Sequence, residues 1–188
     1  MGYKVVVEPA YEPVTVSECK LVARFTATAM DTLIEEQFIP AARRICEQRT
    51  GRSLITQYVR KTLDAWPSTN DIELRFGPVQ SIQSFTYIDA NEDEQTVSSD
   101  IYTVDNKDAL RPAWILLKEG ESWPDAGCFA NAITVTFVAG YGDESDDVPR
   151  ELRLWIMAAV ANMIKTGIPD VPGGFCAGLL DRESVLGM

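Results

Sequence analysis

The feature that most constrains the fold is a long middle stretch, residues 54–140, with strand patterns and no helical periodicity. Val, Ile, Thr, Phe and Tyr dominate short runs that turn residues such as Gly77-Pro78 separate. Parallel strands need long crossover connections, usually helices. Because none is indicated here, the stretch predicts an antiparallel meander or small sandwich. The predicted strand runs read LITQYVRKTLDAW, DIELRF, VQSIQSFTYID, IYTVD, WILLK and AITVTFVAG.

Helical signals flank this stretch on both sides. Thr15 and Glu18 have the spacing of a capping box, which begins a short first helix. A second, amphipathic helix contains Pro40, which should bend it, and ends at Gly51. The third has an apolar stripe at helical spacing and ends at Gly167. The three helices are predicted over residues 16–23, 32–50 and 149–166.

These patterns together predict an α+β fold. A small bundle of three main helices carries an inserted antiparallel β-rich region, followed by an extended C-terminal arm that is rich in Pro and Gly. A chain of 188 residues with 46% hydrophobic side chains is long enough for one core, so a single domain is expected. Its parts are helical residues 13–52 and 148–167, the β insertion 53–140 and the arm 168–188.

Composition excludes several kinds of chemistry. The chain has no histidine, which rules out Ser-His-Asp and Cys-His nucleophile arrangements. Its four cysteines are far apart with no C-x-x-C pair, so they are expected to be reduced and mostly buried. We therefore expect no catalytic residues, no cofactor and no metal, and the chain is predicted not to be an enzyme.

Charge and hydropathy restrict the partners. The net charge of -11, with no basic stripe, argues against a surface that binds nucleic acid, because duplex affinity comes mainly from Lys and Arg at phosphates. No window approaches the roughly 20 apolar residues of a membrane span. The N-terminal residues lack the pattern of a secretory signal, so we expect a cytosolic protein with no membrane partner.

The stretch FVAGYGDESDDVPREL, residues 137–152, could be read as a reactive loop. Its G-x-G lacks the third glycine of a dinucleotide-binding loop, and its acids do not fit the spacing of an EF-hand. An acidic metal-dependent hydrolase that uses these carboxylates stays open as a less favoured alternative. The favoured interpretation is structural: Asp146 or Asp147 caps the last helix, and Pro149 begins it. The four carboxylates are Asp143, Glu144, Asp146 and Asp147.

The order of these segments resembles the head-to-tail connector, or adaptor, proteins of long-tailed bacteriophages and related prophages and gene transfer agents. The resemblance covers roughly residues 13–166. The pieces that carry it are AARRICEQRTGRSLITQ, GPVQSI and FVAGYGDESDDVPREL, in this order along the chain.

The resemblance implies a structural role. Such proteins form a head-to-tail ring of about twelve subunits beneath the portal of a DNA-filled capsid and join the portal to tail-completion proteins. DNA would pass through without specific binding, and the protein would move from the host cytoplasm to the virion neck. Another neck or tail-completion protein of the same virion is the alternative. By the same resemblance, the arm would contact the portal through Phe175, Leu179, Leu180, Val185 and Leu186.

Overall fold

The structure is a computed structural model that describes residues 2–107 and 111–167. Within these residues the chain divides into two compact units. The first, called the β unit, consists of residues 2–8 and 56–140. The second, called the helical unit, consists of residues 9–55 and 141–167.

The β unit contains two antiparallel sheets. The larger has five strands in the order β1-β2-β8-β4-β5, and the smaller has three in the order β3-β7-β6. Inward-facing side chains of both sheets form one hydrophobic core, in which Trp66 stacks on Trp123 with ring centroids 4.8 Å apart. The strands are β1 Gly2–Val7, β2 Gln57–Leu63, β3 Asp71–Leu74, β4 Val79–Ile88, β5 Glu94–Thr96, β6 Tyr102–Asp105, β7 Ala113–Leu117 and β8 Ile133–Ala139.

A buried lysine joins strands β2 and β3 in this unit. The Lys61 side chain is 1% exposed, and its ammonium donates a hydrogen bond to the backbone carbonyl of Glu73. The Tyr3 hydroxyl donates to the same carbonyl at 3.1 Å, and its ring lies 5.3 Å from the ammonium. Burial lowers the pKa of Lys61 to about 8, because an ammonium out of water loses its hydration.

The helical unit is built from two long helical segments and a short one. Residues 31–50 are continuously helical, and within them a π-helical turn, Ile34–Phe38, separates α2 from α3. The core residue Trp155 of α4 is fully buried, and the core extends to α1 through Cys19 and to α3 through Cys46. The helices are α1 Val16–Ala23, α2 Asp31–Leu33, α3 Ile39–Thr50 and α4 Arg150–Thr166, with a 3₁₀ turn at Ser145–Asp147.

The π-helical turn explains how the chain accommodates Pro40. Proline has no amide hydrogen and its ring collides with the carbonyl four residues earlier, which disfavours a regular α-helical turn there. The turn before it widens, and the amide of Ile39 bonds to the carbonyl of Ile34, five residues back. Pro40 therefore perturbs the turn that precedes it.

The predicted α+β fold is confirmed. The three main helices lie where the sequence placed them, with Gly51 and Gly167 as left-handed C-caps. All six predicted strand runs form antiparallel strands. Strands β1 and β5 were not predicted, and β1 adds the N-terminal residues to the β unit. The predicted arm, residues 168–188, lies outside the described residues.

Candidate functional site

The first helix of the helical unit begins at a complete capping box. The Thr15 hydroxyl accepts a hydrogen bond from the Glu18 amide at 3.3 Å, and the Glu18 carboxylate accepts one from the Thr15 amide at 2.8 Å. This pair satisfies two amides that the first turn leaves without helical partners. The predicted box is thus confirmed, and it fixes where α1 starts.

Arg153 connects three parts of the unit. Its guanidinium donates to Glu18 of α1 at 2.9 Å and to Asp146 of the acidic loop at 2.7 Å, while the residue itself lies on α4. Burial alone would raise the pKa of Glu18, but hydrogen bonds from Thr15 and the charge of Arg153 outweigh it and hold the pKa below its usual range. This contact could not be predicted from local patterns, because Glu18 and Arg153 are 135 positions apart.

The predicted cap of α4 by Asp146 or Asp147 is wrong. Pro149 occupies the N-cap position, and no side chain makes a capping hydrogen bond to α4. Asp147 instead accepts from the Glu144 amide at 3.1 Å, which closes the preceding 3₁₀ turn, and Asp146 turns to Arg153. Pro149 does begin the helix: its carbonyl accepts from Leu152 and Arg153. The two aspartates therefore organise the loop before the helix.

The acidic loop does not form a cluster suited to a cation. Across residues 2–107 and 111–167, no group of three or more His, Cys, Asp or Glu residues is placed to hold a metal ion. Asp146 is paired with an arginine and Asp147 with a backbone amide, so neither is directed at a common centre. Among the described helices, none is long and apolar enough to cross a membrane.

A buried ionic cluster holds α3 to the loops around it. Arg43 is 3% exposed and donates to Glu12 at 2.9 Å and to Glu47 at 3.0 Å. The other oxygen of Glu47 accepts from the Leu54 amide at 3.0 Å. Burial raises the pKa of Glu47, although Arg43 and the Leu54 amide oppose the shift. Arg43, Glu47 and Leu54 belong to the AARRICEQRTGRSL segment, whose basic residues the sequence alone would place on a solvated face.

Arg52 continues this polar interior. It is 1% exposed, and its guanidinium donates to the Tyr141 hydroxyl. The Tyr141 amide donates to the Leu54 carbonyl at 3.1 Å, so the chain that enters the acidic loop is anchored beside the end of α3. Buried polar groups held by such hydrogen bonds suit a rigid scaffold, since the bonds offset part of the cost of burial.

A groove runs between α1 and the start of the next helical segment. Its volume is about 810 Å³, and Val16, Leu21 and Phe25 supply its apolar surface. Leu21 is 80% exposed, the highest value among the exposed large hydrophobic residues described. The groove is lined by Thr15, Val16, Ser17, Lys20, Leu21, Arg24, Phe25, Thr26, Asp31 and Glu35.

A left-handed turn at Arg24 shapes this groove. Arg24 has φ +54°, and the Phe25 amide bonds back to the Lys20 carbonyl at 3.0 Å. This closure ends α1 and brings Phe25 beside the last turn of the helix, as in a Schellman-type cap. This groove was not predicted from the sequence. The signal was an apolar Leu21-Val22 pair on a helix too short to bury both.

Of the residues that the sequence singled out, the structure brings together Glu18 and Asp146 through Arg153. Asp147 does not join this contact, because its carboxylate bonds to the Glu144 amide within the 3₁₀ turn. The predicted portal-contact residues Phe175, Leu179, Leu180, Val185 and Leu186 lie outside the described residues.

Comparison with solved structures finds this fold in chains of gene transfer agent particles. A chain in the neck of an empty particle, computed with C6 symmetry, has a TM-score of 0.84 at 20% identity. A chain in the virion of a native particle scores 0.82 at 19% identity. A chain in the neck of a native particle, computed with C12 symmetry, scores 0.76 at 19% identity. Each match covers 100% of this chain and 97% of the other chain.

A scan against protein-family models finds no match, and no curated protein matches the sequence. The likeness is therefore one of fold at low identity. It nevertheless extends over all of this chain and nearly all of each matched chain, so the fold is shared along the sequence.

Proposed function

We propose that this protein is a structural neck protein of a phage-like particle, and within the neck a head-to-tail connector that forms a ring between portal and tail. The observation that carries the proposal is the whole-chain similarity to neck chains, at a TM-score of 0.84. The quoted neck structures were computed with C6 and C12 symmetry, which supports a ring of about twelve subunits.

The interior of the helical unit supports a scaffold rather than a reaction centre. Arg43 pairs with Glu47, and Arg153 pairs with the carboxylates of Glu18 and Asp146. The chain has no histidine. A non-enzymatic role follows as part of the proposal. The whole chain acts as one connector domain, present in the host cytoplasm during assembly and in the virion neck afterwards.

The charge of the chain fits a channel through which DNA passes without specific binding. A net charge of -11 repels phosphates, and a duplex moves freely past a surface that does not neutralise them. We expect negligible binding of duplex DNA to the purified protein at physiological salt. Tight, salt-sensitive binding in a shift assay would count against this part of the proposal.

The partners follow from the same role: further copies of this chain, a portal protein and a tail-completion protein. In the assembled neck the arm contacts the portal through Phe175, Leu179, Leu180, Val185 and Leu186.

The deciding experiment combines the protein with the portal protein of the same phage-like particle and, separately, with its tail-completion protein. Native mass spectrometry and electron microscopy should show a ring seated on the portal, and deletion of residues 168–188 should abolish portal binding. Binding to the tail-completion protein alone would instead indicate another neck component. Saturable binding of magnesium, manganese or calcium in calorimetry would favour the hydrolase alternative.

A further inference from the structure

The groove on the helical unit leaves apolar surface open to water. Leu21 is 80% exposed and lies beside the half-buried Phe25 and Val16. Burying apolar surface yields about 25 cal/mol per Å², so an apolar segment within reach would gain by covering it. The chain carries such a segment outside the described residues: FCAGLL, residues 175–180.

We propose that, in the free chain, residues 175–180 bind in the α1 groove of the same chain. The α1 groove denotes the cavity lined by residues 15–17, 20–21, 24–26, 31 and 35. The docking needs contacts within one chain only, and it holds whether or not the protein assembles in a neck.

The reach of the chain permits this. The Arg153–Glu18 contact of 2.9 Å places the start of α1 beside the first turn of α4. From Arg153 to Gly167, the C-cap of α4, is about 21 Å at 1.5 Å per residue. The eight residues from Gly167 to Phe175 span at most about 28 Å when extended. The C-terminal segment can therefore return along α4 and arrive at the α1 groove.

Charge at the rim of the groove fits the residues after the run. Lys20 already pairs with Asp31 at 2.7 Å. Arg24, on the same rim, is exposed and has no ion-pair partner among the residues that the structure describes. The run ends at Leu180 and is followed at once by Asp181. A segment with its leucines in the groove can thus place a carboxylate next to Arg24.

Docking within the chain is favoured over docking into a second copy by effective concentration. A short tether holds a segment near its site at about millimolar effective concentration, well above the concentration of a micromolar solution of free protein. Docking into a neighbour should therefore need high concentration or a preformed assembly.

The native Cys176 within the run allows a direct test by disulfide trapping. A Leu21→Cys variant is made in a Cys128→Ser background, which removes the exposed native thiol, and is oxidised mildly in dilute solution. Cys19 and Cys46 are fully buried and should not compete. We expect a link between positions 21 and 176 within one chain, seen as a faster-moving monomer band and as a cross-linked peptide by mass spectrometry.

The matched control is Leu154→Cys in the same background. Leu154 is an exposed apolar residue of α4 that does not line the groove. The link from position 21 should form at least about tenfold faster than the link from position 154. Equal rates, or a link found only between two chains, would overturn the proposal.

A second measurement avoids any new thiol. Replacement of Leu179 and Leu180 by aspartate should speed hydrogen exchange of the amides at residues 21–25, with the β unit unchanged. Unaltered exchange at these amides would also overturn the proposal. If the docking is found but no ring forms on the portal, the proposed function fails and this inference stands.

Discussion

Lys61 should make the stability of the β unit depend on pH in a direction opposite to that of most lysines. Its ammonium is 1% exposed and donates to a backbone carbonyl, so its charge is buried against a neutral acceptor. Burial lowers its pKa from 10.5 to about 8; Glu73 opposes the shift and Arg75 adds to it. The perturbation that tests this is Lys61→Met, which keeps the length of the side chain and removes the charge.

The magnitude follows from the two pKa values. Between pH 8 and pH 10.5 the unfolded chain keeps a proton on Lys61 that the folded chain has lost, so the free energy of unfolding rises with pH across this window. The destabilisation caused by burying the charged form of Lys61 is absent above pH 10.5 and is complete as the pH falls below 8. At 1.36 kcal/mol per unit, the shift amounts to at most about 3 kcal/mol, of which about 2.5 kcal/mol is regained between pH 7 and pH 10.

The assay is urea unfolding of wild type and Lys61→Met at pH 7, 8, 9 and 10, followed by tryptophan fluorescence. The quantity of interest is the difference between the two proteins, since other groups that titrate in this range cancel. This difference should move in favour of the wild type by about 2 to 3 kcal/mol from pH 7 to pH 10. Lys4→Met, on exposed β1, serves as the control and should show no such change. A difference that stays constant with pH would refute the reasoning.

Four further changes test other parts of the structure. Burial raises the pKa of the Cys19 and Cys46 thiols to about 12. The stabilisation that these thiols contribute is therefore complete below pH 9 and lost as the pH rises toward 12. Alanine at both positions should flatten the alkaline fall in the free energy of unfolding, measured by urea unfolding. Arg43→Met removes the cation that contacts the buried Glu47 and the half-buried Glu12, and it should cost about 3 to 5 kcal/mol in the same measurement. Thr15→Ala removes half of the capping box and should cost about 1 kcal/mol, with Ser68→Ala in an exposed loop as the neutral control. Gly142→Ala would place a Cβ 2.0 Å from a carboxylate oxygen of the 3₁₀ turn, and a loss of about 1 to 3 kcal/mol in thermal unfolding is expected.

Local signals were sufficient for the helices. The capping box at Thr15 and the glycine after Thr50 act within a few residues, and each set a boundary that the structure reproduces. Pro40 was expected to bend its helix, and the structure shows how the chain adapts, by a π-helical turn before it. The π-helical turn could not be predicted from the sequence, because several backbone distortions accommodate a proline that lacks an amide hydrogen.

Features that depend on partners far apart in the chain could not be predicted from the sequence. Strand β1 forms because Gly2–Val7 pairs with β2, more than 50 positions away, and its own composition is weakly patterned. The buried pairing of Arg43 with Glu47 looks, in sequence, like an ordinary surface pair at helical spacing. Cys128 is exposed although cysteines were expected to be mostly buried. The shape of the α1 groove depends on the turn at Arg24, and the apolar Leu21-Val22 pair indicates only that α1 leaves apolar surface exposed.

The failed cap at Asp146 and Asp147 shows which energies decide the acidic loop. A side-chain cap is worth about 1 kcal/mol, while an exposed ion pair is worth about 0 to 1 kcal/mol. Since Asp146 is 88% exposed, its contact with Arg153 cannot by itself displace a cap. The close packing of Gly142 on Asp147 accounts for the outcome better, because it turns that carboxylate toward the Glu144 amide and away from α4. Hydrogen bonds within the loop and the contact with Arg153 account for its order, and its remaining carboxylates face water.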